Sequence, residues 1–200
     1  MKKVIDLTHD ELADFAAVRL RTMGYPLAFS NMTSKSCREQ PDVLGLNDIS
    51  KSILLEVKVS KADFLKDKHK PWRAEGQGFG KRRVYLTPKD LLKPEEIPYG
   101  WELWEVHGKN KPMLKIIKGK KLVQEKDPIS GFPRSVVKFL NCDSKEFLHF
   151  SRKHNYSYKQ EAMWMIKILR RMESQGFPVT DYANGKKMIY ENEKYKKKKK

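Results

Sequence analysis

The sequence predicts a mixed α/β domain followed by a helical extension, and three observations carry that prediction. An amphipathic helical pattern with a capping signature opens the chain. Paired short runs rich in β-branched residues follow, separated by turn residues. A second helical segment then stands between those runs and two further strand-like runs, and helix, strands, helix, strands is the order of a small α/β domain. At 200 residues the chain can bury one core of moderate size, with room for a small appendage.

Each element has its own justification. In "THDELADFAAVRLRTMGY" Thr8 is a natural N-cap with Glu11 three residues on, the pattern of a capping box. Leu12, Phe15, Ala16 and Leu20 then form a helical stripe, and Gly24 supplies the stop. "PLAFSNM" reads as a short strand and "TSKSCREQP" as a polar turn. "DVLGL" and "SILLEVKVS", joined by "NDISK", read as the two strands of an antiparallel hairpin. Residues 61 to 83 carry eight Lys or Arg against three acids, with a helix expected from "KADFLKDK" and then a glycine-rich loop. "RRVYLTP" restores a strand, "PKDLLKPEEIPYG" is a Pro-punctuated connection, and "WELWEVH" is a strand with Trp101, Leu103 and Glu105 on one face. "PMLKIIKG" is expected to add an edge strand and to close the first domain, residues 1 to 118.

Residues 119 to 185 are expected to be a mostly helical extension. "VQEKDPISGFPRS" reads as a linker, or as a loop packed on the first domain. Further on, Ala162, Met165, Ile166, Leu169 and Met172 keep helical spacing, and Gly176 fits the end of that helix. Met163, Trp164 and Met165 read as packing residues. Residues 186 to 200 hold eight lysines and two glutamates and are expected to form a disordered tail.

Composition narrows the partners. Charged residues make up 34% of the chain and the formal net charge is +17. Such a charge favours a polyanion, through counterion release and long-range steering. DNA, RNA and an anionic membrane all satisfy that argument. The two cysteines, Cys37 and Cys142, form no CxxC pair and suggest reduced thiols in a cytosolic protein. The opening "MKKVIDLTHDELADF" has no apolar stretch after its lysines, and no window approaches 18 apolar residues. Neither secretion by that route nor a membrane span is therefore expected.

The chemistry concentrates in one place. Alternation along "SILLEVKVS" puts Leu54, Glu56 and Lys58 on one face and Leu55, Val57 and Val59 on the other. If the hairpin forms, Asp42 falls opposite residues 56 to 57. Two carboxylates and an ammonium would then share a small volume, an arrangement that is costly without a divalent cation. The donor set suits Mg²⁺, with Mn²⁺ as a substitute: Asp42 and Glu56 as carboxylate ligands and the backbone carbonyl of Val57 beside them. Lys58 could orient or deprotonate a water, or stabilise charge developing on phosphorus. The plainer alternative is that charged residues in a strand simply face solvent.

Lys61, Lys66, Lys68, Lys70, Arg73, Lys81, Arg82 and Arg83 would flank such a site and hold phosphates without reading sequence. The alternative is a solvated charged helix. Trp72 either stacks on a base or anchors the loop. Other motifs fail. "GQGFGKRR" lacks the first glycine of a Walker A loop, because residue 75 is Glu, and Arg82 stands where Ser or Thr should hold magnesium. His9, His69, His107, His149 and His154 show no zinc spacing with the cysteines.

Pro41-Asp42, thirteen intervening residues and then Glu56-Val57-Lys58 closely resemble the core of the PD-(D/E)xK nuclease superfamily. Continued through "VKVSKADFLKDKHKPW", "RRVYLTP" and "PEEIPYGWELWEV", residues 8 to 106 look like its MmcB-type DNA-repair branch. The resemblance implies a restriction-endonuclease-like mixed sheet flanked by helices. It implies Asp42 and Glu56 as metal carboxylates and Lys58 as the catalytic lysine. Glu11 matches a helix-one acid that supports the metal in many members, a role that competes with capping. Gln77 falls loosely where some relatives place a polar active-site residue. The implied activity is a Mg²⁺-dependent endonuclease acting on DNA. Two rivals stand beside it: a nuclease acting on RNA, and a nucleic-acid-binding or partner-interfering protein that keeps the fold. A protein partner or a homodimer stays open. The expected setting is the cytoplasm or nucleoid, with a virus-encoded protein acting in its host cell as one form of it.

Overall fold

The computed structural model describes residues 7–34, 37–47, 51–67, 69–73, 78–108, 111–151 and 157–176. Helix α1 (His9–Thr22) starts where the sequence places it. The Thr8 side chain accepts from the Glu11 N–H, and the Glu11 carboxylate accepts from the Thr8 N–H. Its inward stripe is Leu12, Ala13, Ala16, Ala17 and Leu20, all buried, with Phe15 packed at the margin.

Strands β1 (Leu27–Ser30), β2 (Val43–Leu46) and β3 (Ser52–Val57) form an antiparallel meander. Helix α2 (Lys61–Asp67) then carries the chain to β4 (Arg82–Pro88), which lies parallel to β3. A connection containing one 3₁₀ turn leads to β5 (Glu102–His107), parallel to β4. Two antiparallel strands complete the sheet, β6 (Met113–Lys126) and β7 (Pro133–Leu140). The seven strands lie in sequence order. Helices α3 (Ser144–Ser151) and α4 (Tyr158–Ser174) follow.

Alternation sorts the central strands into two layers. Ile53, Leu55, Val57, Val84, Leu86, Trp104 and Val106 join the stripe of α1 in one apolar core. The intervening residues face the other way, and Tyr85 meets Phe64 of α2 edge-on at 5.0 Å. The sheet is thus covered by α1 on one side and α2 on the other. The α2 side is where the charged residues collect.

Met113–Lys118 of "PMLKIIKG" pair with β5 alone, as an edge strand does, but β6 runs on for 14 residues to Lys126, and β7 pairs with it from Gly119 onward. Three expectations need correction. "VQEKDPISGFPRS" supplies the turn and both flanking strand ends of that hairpin, not a linker. Residues 119 to 140 are therefore sheet, and the helical extension begins at Ser144. The long reach of β6 is not legible in the sequence because "KKLVQEK", residues 120 to 126, has no period-two apolar alternation to mark a buried face. On α4 the buried residues are Trp164 and Ile168, whereas Met165, Ile166 and Leu169 of the expected stripe are about half exposed. The chain divides into two compact units, one ending at Glu161 and the other beginning at Ala162, so α4 belongs mostly to the second. The lysine-rich tail lies outside the described residues. Among the described residues no helix is long and apolar enough to cross a membrane. Both Cys37 and Cys142 are free thiols.

Candidate active site

The β2–β3 register sets the geometry. Val43 pairs with Leu55, so Asp42, one residue before β2, stands across from Glu56, and its Oδ2 accepts the Val57 N–H at 2.7 Å. His9, in the first turn of α1, reaches the same oxygen through Nε2 at 3.1 Å. Asp42 thus has one oxygen held, and its Oδ1 has no partner among the described residues.

Glu56 is 2% exposed, and its Oε2 meets Arg73 Nη2 at 2.8 Å and Lys58 Nζ at 3.5 Å. Its Oε1 is buried with no hydrogen-bond partner among the described residues. Each carboxylate is therefore tethered by one oxygen and open at the other. Burial pushes the Glu56 carboxyl up to about 7, Arg73 and Lys58 pull against that shift, and the charges of Asp42 and Asp67 add to it. Lys58 is itself buried, with Nζ also 3.5 Å from Asp67 and 3.8 Å from Asp63. Asp63 and Asp67 lie four apart on α2, so one helix face presents both to the lysine.

Arg73 ties the cluster together. Nε and Nη2 make a forked contact with Asp67 at 2.8 Å each, and Nη1 reaches Glu39 at 2.6 Å. Burial would raise the Asp67 carboxyl, but the fork from Arg73, with Lys70 and Lys58 beside it, holds it well below the usual carboxylate range. Tyr85 completes the arrangement by donating to Asp67 at 3.1 Å. Glu39 also accepts from Arg83 and from the Phe79 N–H. Gly78 permits that approach, since a Cβ there would come within 2.6 Å of Glu39 Oε2 and closer still to Arg83 and the Trp72 carbonyl.

Sequence reasoning placed Asp42, Glu56, Val57 and Lys58 together, and the structure does bring them together. It missed His9, Glu39 and Asp67. The i, i+4 acids after Lys58 were the available signal for Asp67, but nothing in the sequence marks Glu39 or His9. Glu11 remains in the capping box, accepting from the Thr8 N–H at 2.8 Å and hydroxyl at 3.0 Å. Three of the expected phosphate-binding residues turn inward instead. Arg73 is held by acids, Arg82 is forked onto Glu102, and Arg83 joins Glu39 while lying 4.3 Å over the Trp101 ring. Each guanidinium is held by an internal acid, although Arg83 Nε is buried without a hydrogen-bond partner among the described residues, so all three leave the surface basic patch. Lys61 pairs with Glu96 and Lys70 with Asp67, while Lys66 is exposed. Lys81 is half-buried, its N–H donating to Ser52. Trp72 is half-buried with Lys70 over its ring at 5.9 Å. Lys68 and Gln77 lie outside the described residues.

His9 offers a direct probe of this geometry. The hydrogen bond that His9 donates to Asp42 is the largest cause, raising the histidine pKa to about 9 against an opposing effect of burial. A histidine raised in this way stabilises the fold fully below the unfolded value near 6.5, and the contribution disappears as pH rises through about 9. His9→Gln should therefore lower stability at pH 6, by less than about 1 kcal/mol because the ring is partly exposed. The difference should vanish by pH 10 in paired urea titrations. A constant difference across that range would place the charge of His9 elsewhere.

No family model matches the chain, and no curated protein sequence matches it. Among solved structures, the SPO1766 protein of unknown function from Silicibacter pomeroyi is similar over 86% of this chain and 99% of that one, at 18% identity and a TM-score of 0.43. That likeness is too distant to bear on function.

Proposed function

We propose that the protein is a Mg²⁺-dependent nuclease hydrolysing DNA phosphodiester bonds, built on a restriction-endonuclease-like sheet. The observation that carries this reading is the pair of carboxylates opposed across β2 and β3, each held by one oxygen and open at the other. Hard oxygen donors of that kind suit Mg²⁺ or Mn²⁺. Leaving Glu56 Oε1 buried and unpartnered is expensive unless something else occupies that side. Among the described residues no group of three or more His, Cys, Asp or Glu side chains could hold an ion. A metal here would thus rest on only two side-chain ligands, Asp42 and Glu56, with the Val57 carbonyl, water and a phosphate oxygen completing its coordination. The metal, when bound, supplies Lewis acidity at the phosphate. Lys58 brings positive charge to the same place, where it would stabilise negative charge developing on phosphorus. Arg73 and Asp67 position Glu56 and Lys58, and His9 with the Val57 N–H fixes Asp42.

The order of helix, antiparallel meander, helix and parallel strand, with the acids meeting at β2 and β3, supports the finer fold assignment. A second reading has its own observation. Arg73 seated on Glu56 at 2.8 Å already compensates that carboxylate, which suits a nucleic-acid-binding protein that keeps the fold without turnover. The deciding experiment offers duplex, branched and single-stranded DNA, and RNA, with Mg²⁺ or Mn²⁺, to the protein and to Asp42→Asn. Metal-dependent cleavage of a DNA substrate that is lost in the variant supports the nuclease. Binding by both proteins without cleavage by either overturns it in favour of the second reading, and cleavage confined to RNA overturns the choice of DNA.

A further inference from the structure

Beyond Lys118, β6 leaves β5 and pairs with β7 alone, from Gly119↔Leu140 out to Lys126↔Pro133. Over residues 120 to 140 every side chain is exposed or half-exposed, on both faces of the ribbon. The base is covered, where Phe139 meets Phe147 of α3 at 4.8 Å and Arg82 donates to the Lys120 carbonyl at 3.0 Å; beyond it both faces of the two strands are open, and they form a projecting arm. Nothing internal requires its length.

The chemistry of the arm is selective. Residues 119 to 140 carry five basic side chains against two acidic ones. Arg134 pairs with Asp127 and Lys138 with Glu125, whereas exposed Lys121 and Lys126 have no ion-pair partner among the described residues. At the tip the polarity reverses. Ile129 is 96% exposed and Phe132 73% exposed, flanked by Pro128 and Pro133. These are the most exposed large apolar side chains among the described residues. They are not on a loose loop. Asp127 Oδ1 accepts from the Ile129 and Ser130 N–H groups and the Ser130 hydroxyl, and the Asp127 N–H donates to the Phe132 carbonyl at 2.8 Å. Gly131 closes the turn with a φ of +70°. The turn satisfies its own polar groups and holds two apolar side chains outward.

We propose that this hairpin is a DNA-engaging arm. Its lysines track the phosphates of a duplex, and Ile129 and Phe132 wedge between base pairs at the minor groove. Two-stranded ribbons do serve as DNA-binding elements in either groove. Cations on the shaft supply the sequence-independent attraction, and an apolar wedge at the tip unstacks a base step and kinks the duplex. A protein partner would explain the exposed Ile129 and Phe132 but not the basic shaft behind them. The arm binds DNA whether or not the candidate active site cuts it, so it goes beyond the nuclease reading.

The test uses the full chain in EDTA, which separates binding from any metal-dependent cleavage. A duplex of about 30 base pairs carrying a fluorophore pair at its ends reports affinity and bending together. The wild-type protein should bend the duplex. Ile129→Ala/Phe132→Ala should abolish the bend and weaken binding roughly tenfold, as expected for lost stacking and wedging. Lys121→Gln/Lys126→Gln should keep the bend at saturation and flatten the plot of log affinity against log salt by about two. Circular dichroism and thermal melting check that both variants fold. Wild-type binding without bending, or equal bending and affinity in the tip variant, overturns the wedge. An unchanged salt dependence in the lysine variant overturns the shaft. Loss of affinity on an RNA duplex but not on DNA, or no effect on either with loss of a captured protein, overturns the choice of DNA. Loss of cleavage in Asp42→Asn with the bend intact leaves the arm standing, and absence of cleavage in any protein with the bend intact removes the nuclease alone.

Discussion

Replacing Arg73 with alanine should lower the unfolding free energy at neutral pH by about 3–5 kcal/mol, the cost of removing one member of a buried ionic cluster. Its guanidinium contacts Glu39, Glu56 and Asp67, all buried, and lies 5.1 Å over Trp101. Without it Lys58 and Arg83 remain as the buried cations facing those carboxylates among the described residues, with Lys70 reaching Asp67 from a more exposed position. Lysine at this position should recover only part of the loss, because an ammonium cannot make the forked contact with Asp67. The deficit should also depend on pH. Asp67 is depressed by Arg73, so its contribution is present above its unfolded pKa of 3.8 and lost as pH falls further. Glu56 behaves oppositely: with its pKa at about 7 against 4.5 unfolded, it favours the folded state below 4.5 and loses that advantage as pH rises through 7. Arg73→Ala should therefore be least harmful in acid and most harmful above pH 7, as urea denaturation at pH 5, 7 and 8.5 would read. A uniform loss under about 1 kcal/mol would mean that the cluster is hydrated and the guanidinium dispensable.

The second large effect falls on the proposed nuclease activity. Lys58→Met should reduce Mg²⁺-dependent DNA cleavage by roughly 10²–10³-fold or more, the usual effect of removing a charge that stabilises the transition state. Methionine keeps much of the length and apolar body of the buried side chain while deleting the ammonium. DNA affinity should change by no more than about threefold, because Nζ is buried among Glu56, Asp63 and Asp67 and contributes little to an outer phosphate-binding surface. The split between turnover and affinity is the informative quantity. Equal losses of both would make Lys58 a binding residue, and unchanged cleavage would remove it from the chemistry.

Much of the meander and of the candidate site could be read from residues alone. The Thr8–Glu11 cap, the alternation of "SILLEVKVS" and the turn between its two strands are local signals, and they place Asp42 against Glu56. What could not be read depends on tertiary contact. Arg73, Arg82 and Arg83 look like a basic surface in one dimension, but each finds a buried acid 17 to 44 residues away, Glu39, Glu56 or Glu102. Charge counts along a chain cannot tell a phosphate-seeking arginine from one neutralised inside. The arm eluded sequence reading for the converse reason: strands are recognised by the face they bury, and from Lys121 to Lys138 neither strand of the arm has a buried residue.

The sequential order of the seven strands bears on how the molecule comes to exist. Each strand lies beside its neighbour in sequence, so the sheet can be laid down in the order of synthesis without threading a late strand between early ones. Local closure of this kind lowers the entropy lost before contacts repay it. Helix α1 and the first three strands can collapse together once residue 57 is clear of the ribosome. Asp42 and Glu56 would then face each other before Arg73 has been synthesised. For that interval Glu56 would lack its main counter-ion while Asp42 already has His9, and α2 with the residues behind it would lock in place an arrangement that the first third of the chain had already begun.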